Sequence, residues 1–343
     1  MKLGIIGLPQ SGKSTVFEAL TKNFVQSAHG DVRLGTVRVP DNRLDVLNEM
    51  YKPRKTIYAQ VEYILSPFQD QKSGKNRTQT VSPQLRDCDA FLHVVRNFRG
   101  PGFDSPRPPK DFFDLDQELI FADLVVVETR LERIGLDKKR GRKVNQDEIA
   151  LLEACLETLE NDIPLRRRDD LAGAQALRGY AFVSAKPTLV LFNNEDEDEK
   201  LPDAEPVTSA EACMVVRGKL EHELARLSDE EAGDFLSAYG IVESAMDRVI
   251  RRSYELLGLI SFFTIGKDEV RAWTIRKNTP AVDAAGAVHS DMKKGFIRAE
   301  VLAYEDLMAA GTYAEAKRQG KVRLEGKSHI VQDGEIVNFR FNV

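Results

Sequence analysis

Residues 3–20 read LGIIGLPQSGKSTVFEAL. Leu3, Ile5 and Ile6 form a short apolar run suited to a strand, residues 7–14 fit G-x-x-x-x-G-K-[ST], and Thr15 to Leu20 continue at helical spacing. Strand, glycine loop and helix therefore follow one another in the order that a phosphate-binding loop requires. A chance glycine turn is the competing reading, and it would need neither the flanking strand nor the helix. The expected phosphate set is Gly7, Gln10, Ser11, Gly12, Lys13, Ser14 and Thr15. Loop N–H groups and the helix N-terminus face the phosphates, Lys13 reaches the outer ones, and the Ser14 hydroxyl ligates a magnesium ion.

Outward from this motif the chain reads as α/β. Residues 33–65 hold short β-like runs, AFLHVV (90–95) is a buried strand, and residues 188–192 are a second. Between those two strands the period becomes helical. Ile120, Leu124, Val127, Leu131 and Ile134 step by four and three, and Ile149, Leu152, Leu156, Leu159 and Ile163 do the same after a turn, which predicts an inserted antiparallel helical hairpin. Its tip, Lys138-Lys139-Arg140-Gly141-Arg142-Lys143, carries five cations, a pattern that suits a phosphate backbone and equally suits a solvated turn. Ser228 and Glu231 form a capping box for a helix closed by Gly240, and a second helix is expected over 242–257. From 261 the pattern is of strands at 270–275, 296–302 and 336–342, with Val337, Phe339 and Phe341 on one face and Asp333-Gly334 as a hairpin turn. The implied domains are a nucleotide-binding part at 1–112 and 181–260, a hairpin at 113–180, and a small α+β module at 261–343.

The 343 residues suffice for two or three cores, and 42% hydrophobic with 30% charged residues describes a globular protein rather than a disordered one. No apolar run reaches the roughly 18 residues needed to span a bilayer, and MKLGIIGLP reads as a strand rather than a leader, so a cytoplasmic location without a membrane partner is expected. Cys88, Cys155 and Cys213 lack the number and spacing for a disulfide framework or a zinc site. They are expected as buried thiols, with no disulfide-linked partner. A net charge of -5 gives no overall attraction for nucleic acid, although residues 261–343 carry 13 Lys and Arg against 11 Asp and Glu. The five histidines are scattered; His93, inside an apolar strand, reads as a hydrogen-bonded core residue and not as a base.

The tail FFTIGKDEVRAWTIRKNTPAVDAAGAVHSDMKKGFIRAEVL with KVRLEGKSHIVQDGEIVNFRFNV, the loop GLPQSGKST, and the stretches VPDNRLDVLNEMYKPRK, DAFLHVVRNF and ELIFADLVVVETRLER together resemble the YchF, or Obg-like ATPase, family. The resemblance spans nearly the whole chain. It implies a P-loop nucleotide-binding domain of the translation-factor class, a coiled-coil insertion, a C-terminal β-grasp TGS domain, and an association with ribosomes and RNA. ATP or GTP with Mg2+ is the implied cofactor. The ribosome or its RNA is the implied partner, met through the TGS-like domain and the helical tip.

Departures from the family pattern fall on the switches. Where the family has D-x-x-G, this chain has Leu65 at the aspartate and Phe68 at the glycine, followed by the polar stretch QDQKSGKNRTQT, and His29 stands where a magnesium-ligating threonine would. Thr36 is the threonine available if that loop takes another register. These losses predict weak or absent hydrolysis; an active ATPase or GTPase with a replacement group, and an RNA adaptor with a vestigial site, are the alternatives. The base-reading segment fits in two ways: Asn193 to Asp196 in direct register, or Asn194 to Glu197 one residue on. Family members show N-x-x-E, whereas an aspartate there is the guanine-reading residue of GTPases. The later base loop is Arg217, Gly218 and Lys219, with Arg217 either stacking on a base or facing solvent.

Overall fold

The computed structural model describes residues 1–24, 32–66, 82–100, 102, 104–239, 241 and 243–342. His29, Phe68, the QDQKSGKNRTQT stretch and Gly240, all singled out from sequence, lie outside the described residues. The chain divides into two compact units: Met1–Thr36 with Glu62–Val249, and Val37–Val61 with Ile250–Val343.

The first unit is built on a six-stranded sheet. Its strands are β1 (Lys2–Ile6), β2 (Arg33–Arg38), β4 (Gln60–Leu65), β5 (Ala90–Asn97), β6 (Thr188–Asn194) and β7 (Ala212–Val216), in the order β2-β4-β1-β5-β6-β7. β4, β1, β5, β6 and β7 pair in parallel. Every residue of β6 and the first six of β5 are buried, the mark of parallel strands covered on both faces. This is the α/β P-loop fold expected from sequence. β7 escaped the sequence reading, because ACMVV is short and its first four residues are not fully buried.

β5 and β6 are parallel neighbours, so the chain needs a crossover between them, and the helical hairpin is part of that crossover. The helix Pro108–Lys139 begins against the sheet, where Phe112, Leu115 and Leu119 are buried. Further along, Ile120, Val127 and Ile134 pack with Leu152, Cys155 and Leu159 of the helix Gln146–Glu160 in a core of their own. Ile163, expected on that stripe, lies beyond the helix and is 41% exposed. At the hairpin's root Arg166 is buried between Asp116 (2.8 and 3.0 Å) and Glu211 (2.7 and 3.0 Å). The fully buried Asp123 accepts from the backbone N–H groups of Val183 (3.0 Å) and Ser184 (2.7 Å). Burial raises the pKa of Asp123, while the two N–H donors act in the other direction.

The second unit carries β3 (Lys55–Ile57), β8 (Leu259–Ile265), β9 (Glu269–Arg276), β10 (Phe296–Leu302), β11 (Arg323–Glu325) and β12 (Ile336–Phe341), in the order β11-β10-β12-β8-β9-β3. Its core holds Phe262, Ile275, Phe296, Val301, Val337 and Phe339, with Ala281, Ala284 and Ala285 of the helix Ala281–Val288. Phe341 leaves the expected apolar face and is 40% exposed. Asp333-Gly334 does not close a hairpin: β12 pairs antiparallel with β10 and parallel with β8, and Asp333 instead accepts from Ser261 N–H (2.9 Å).

Residues 37–61 and 250–260, assigned from sequence to the nucleotide-binding part, belong to this second unit. β3 extends the sheet by pairing with β9, and the helix Asn42–Tyr51, unforeseen from sequence, buries Leu44 and Leu47 completely. That helix is capped by Asp41, which accepts from Arg43 N–H (3.0 Å), and Arg43 in turn pairs with Asp333 at 2.8 Å. The capping box of Ser228 and Glu231 forms as expected and opens the helix Asp229–Ala238; the following helix runs Ala245–Leu256.

Candidate nucleotide site

The loop after β1 is shaped by its glycines. Gly7, Gln10 and Gly12 have φ of +154°, +64° and +92°. A Cβ on Gly7 would lie 2.4 Å from the Val94 carbonyl oxygen, and one on Gly12 would lie 2.2 Å from Asn193 Nδ2, so neither position tolerates a side chain. The helix Lys13–Thr21 starts directly from this turn, with Ser14 exposed at its first turn and Val16, Phe17, Ala19 and Leu20 buried beneath. Lys13 Nζ donates to the Leu8 carbonyl (2.7 Å), folding the ammonium back over the loop. Burial pushes its pKa down to about 8. Ser11 is 2% exposed and its hydroxyl has no hydrogen-bond partner among the described residues.

Asn193, at the end of β6, ties two loops together. Its Nδ2 donates to the Ser11 carbonyl (3.1 Å), and its Oδ1 accepts from Gly218 N–H (2.9 Å). Asp196 meets the segment that follows Gly218, its Oδ1 accepting from Leu220 N–H (3.2 Å) with Lys219 Nζ 3.7 Å from Oδ2. Asn194 is spent elsewhere: it accepts from Asn97 and donates to the carbonyls of Asp198 and Lys200. Arg217 does not simply face solvent: its guanidinium pairs with Glu199 at 2.7 Å and its side chain is 15% exposed.

Beside the loop, Leu8, Gln10, Ser11, Val95, Arg96 and Asp111 line a cavity of about 220 Å3. Sequence reading missed Arg96 and Asp111; the available signal was an acidic residue in the first turn of a helix opened by prolines. Burial raises the pKa of Asp111. β4 ends beside β1 with Leu65 opposite Ile5, 7% exposed, so an apolar side chain occupies the position where a carboxylate was sought. Thr36 lies exposed within β2. His93 is a core residue, as expected, stacked on Phe112 at 5.0 Å, and its Nε2 has no hydrogen-bond partner among the described residues. Burial, reinforced by Arg166 and Lys13, lowers its pKa to about 3. Cys88 and Cys155 are buried and Cys213 half-buried, all three as free thiols. His289 caps the short helix Ser290–Lys294 by accepting from Asp291 N–H. Among the described residues no group of three or more His, Cys, Asp or Glu is placed to hold a metal, and no helix is long and apolar enough to cross a membrane.

A parallel sheet whose first strand runs through a glycine loop into a helix, with Asn193 clamping that loop, defines a P-loop protein of the α/β class. The model of the C-terminal domain YchF-GTPase_C, described as a protein of unknown function (DUF933), matches residues 259–342. The Ribosome-binding ATPase YchF of Bacillus subtilis (strain 168) is 39% identical over 361 residues, covering 99% of this chain and 99% of the relative. That of Escherichia coli O157:H7 is 38% identical over 360 residues, covering 100% and 99%. The solved structure of the Schizosaccharomyces pombe YchF GTPase superposes with a TM-score of 0.83 at 29% identity, covering 99% of this chain and 97% of that one. The chain belongs to the YchF family.

Proposed function

We propose that this chain is a purine-nucleotide-binding switch protein of the YchF type that works in association with the ribosome and hydrolyses its nucleotide weakly or not at all. The observation that carries the nucleotide reading is Asn193, whose side chain joins the loop at Ser11 to the loop at Gly218. An unpartnered buried hydroxyl at Ser11 and an ammonium held over the loop by a carbonyl suit a site that exchanges these contacts for phosphate oxygens. In this reading Gly7, Gln10, Ser11, Gly12, Lys13, Ser14 and Thr15 hold the phosphates, and Asn193, Asp196, Gly218 and Lys219 border the base. Arg217 belongs to the same loop and braces it through Glu199. Mg2+ would be held by the exposed Ser14 hydroxyl with phosphate oxygens, and its chemistry is to neutralise charge on the outer phosphates.

Leu65 supports weak hydrolysis, because the end of β4 offers no carboxylate to orient magnesium or its waters. One observation favours an active enzyme instead: Asp111 shares a cavity with Gln10 and Ser11 and is a candidate replacement carboxylate. Equilibrium titration with ATP and GTP, followed by single-turnover hydrolysis with magnesium, decides. Binding with a rate near that of free nucleotide in solution is expected. A fast rate abolished by Asp111→Asn would establish the second reading, and no binding of either nucleotide would leave an adaptor with a vestigial site.

The ribosome reading rests on the relatives named ribosome-binding. The topology of the second unit supports a TGS-like β-grasp module, and the hairpin supports a coiled-coil arm whose tip exposes Lys138, Lys139, Arg140, Arg142 and Lys143. Arg142 is paired with Asp137 at 2.8 Å. Phosphate contacts through this tip would make ribosome co-sedimentation fall steeply with salt, and reversing the five charges to glutamate would weaken it and flatten the slope. Equal retention of wild type and reversed tip would mean that the charges only keep the turn solvated.

A further inference from the structure

β7 is the last strand of the first unit's sheet. β6 pairs with one of its edges, and among the described residues no backbone hydrogen bond reaches the other edge from a neighbouring segment. A cavity of about 580 Å3 lies along β7. Met214 and Val215 both line it, and consecutive strand residues point to opposite faces of a sheet, so the cavity runs over the open edge rather than over one face. Its other apolar walls include Leu201, 51% exposed, and Tyr239, which is 69% exposed and stacked on Phe235 at 4.5 Å. An open strand edge beside exposed apolar side chains is the arrangement to which an extended segment adds as a further strand. The main chain of such a segment bonds the edge, and its alternate side chains fill the groove.

The charge of the occupant follows from the two segments that supply these walls. Residues 195–205 hold seven Asp and Glu against Lys200, and residues 228–243 hold five with no Lys or Arg. Glu197, Asp198 and Glu199 are exposed in the first segment, Glu230 and Asp234 in the second. Of the two arginines at the cavity, Arg217 is already paired with Glu199 at 2.7 Å, which leaves Arg248. We infer that the open edge of β7 docks an extended basic segment of a protein partner, in which lysines or arginines alternate with apolar anchors. The cations meet the acidic rim, and the anchors enter between Leu201, Met214 and Tyr239. A phosphate backbone is repelled by the same field, so this surface takes protein, unlike the cationic tip proposed to meet RNA. The inference stands apart from the nucleotide reading.

The test is fluorescence anisotropy of a fluorescein-labelled peptide of alternating lysine and valine, titrated with the full chain. Saturable binding is expected, weakening as salt rises, with no binding of the peptide that carries glutamate for lysine. Methylating alternate amides of the peptide, in either of the two possible sets, leaves its side chains and charge intact; at least one set should bind about tenfold more weakly or worse, because the bonds to β7 are lost. Leu201→Lys alters an exposed side chain, so the urea midpoint should hold while affinity for the peptide falls by about tenfold or more. Both methylated peptides binding as the parent does would reduce the attraction to charge alone and overturn the inference. Unchanged affinity in Leu201→Lys, or no binding of the parent peptide, would do the same. A dimer in sedimentation that Leu201→Lys dissolves would give the edge to a second copy of the chain, which also overturns the assignment.

Discussion

β1 and β4 are parallel neighbours with Ile5 opposite Leu65, yet they end in contrasting chemistry. β1 runs into a turn held by main-chain geometry, with Gly7 and Gly12 at positive φ and no space for a Cβ at either. β4 runs into a buried leucine and then Ser66, whose hydroxyl donates to that of Ser82 at 2.7 Å. Cradling a phosphate depends on backbone N–H groups in one conformation, so few substitutions leave it intact. Positioning a metal or a water depends on a side chain, and an apolar replacement at a strand end fits the sheet without harming it. The comparison shows how a chain could keep the proposed binding site and yet hydrolyse weakly, as the proposed function has it.

The contrast is broken most severely at Gly12. Gly12→Val puts a branched side chain into the space of the Asn193 amide at φ +92°, so nucleotide binding by equilibrium titration should fall below detection. Urea unfolding should show a loss of about 2 kcal/mol or more. Preserved affinity would mean that the loop is not the site.

Lys13 comes next. Lys13→Met removes the ammonium but leaves the loop backbone, and triphosphate affinity should drop by about a hundredfold while the fold survives. The pKa of about 8 adds a sign. Below pH 8 the free protein holds Lys13 charged; above it, binding a triphosphate must take up a proton, so affinity should decline as pH rises through that value, by up to about tenfold per unit. Lys13→Met should lack this decline. Folding lowers this pKa from 10.5, so the unfolded chain binds more protons between about pH 8 and 10.5, and the nucleotide-free protein should gain stability from this group as pH rises through that window.

The smallest effect is expected at the other strand. Leu65→Asp restores the chemical group that the family pattern has there but places an unpaired carboxylate in a buried position, so it should cost about 1 to 3 kcal/mol in urea unfolding without nucleotide. Magnesium with triphosphate should recover part of that loss if the carboxylate meets the metal's water shell. No recovery would show that the end of β4 has been repurposed as core.

What the sequence determined by itself was local. The spacing of Gly7, Gly12, Lys13 and Ser14 defined the loop, and periodicity marked β5, β6, β10 and both arms of the hairpin, because each is a one-dimensional pattern within some thirty residues. The helix Asn42–Tyr51 and β3 were not legible as parts of the C-terminal unit. Their membership is made by pairing of Lys55 with Glu269 and of Arg43 with Asp333, contacts separated by more than two hundred residues that no local pattern encodes. The same holds at the proposed base loop. Composition allowed Asn193 or Asn194 as the clamp; the parallel register of β6 with β5 and β7 directed Asn193 toward Ser11 and Gly218 and paired Asn194 with Asn97. Side chains alternate across a strand, so one residue of register changes which amide faces the loop, and only the tertiary structure fixes that register.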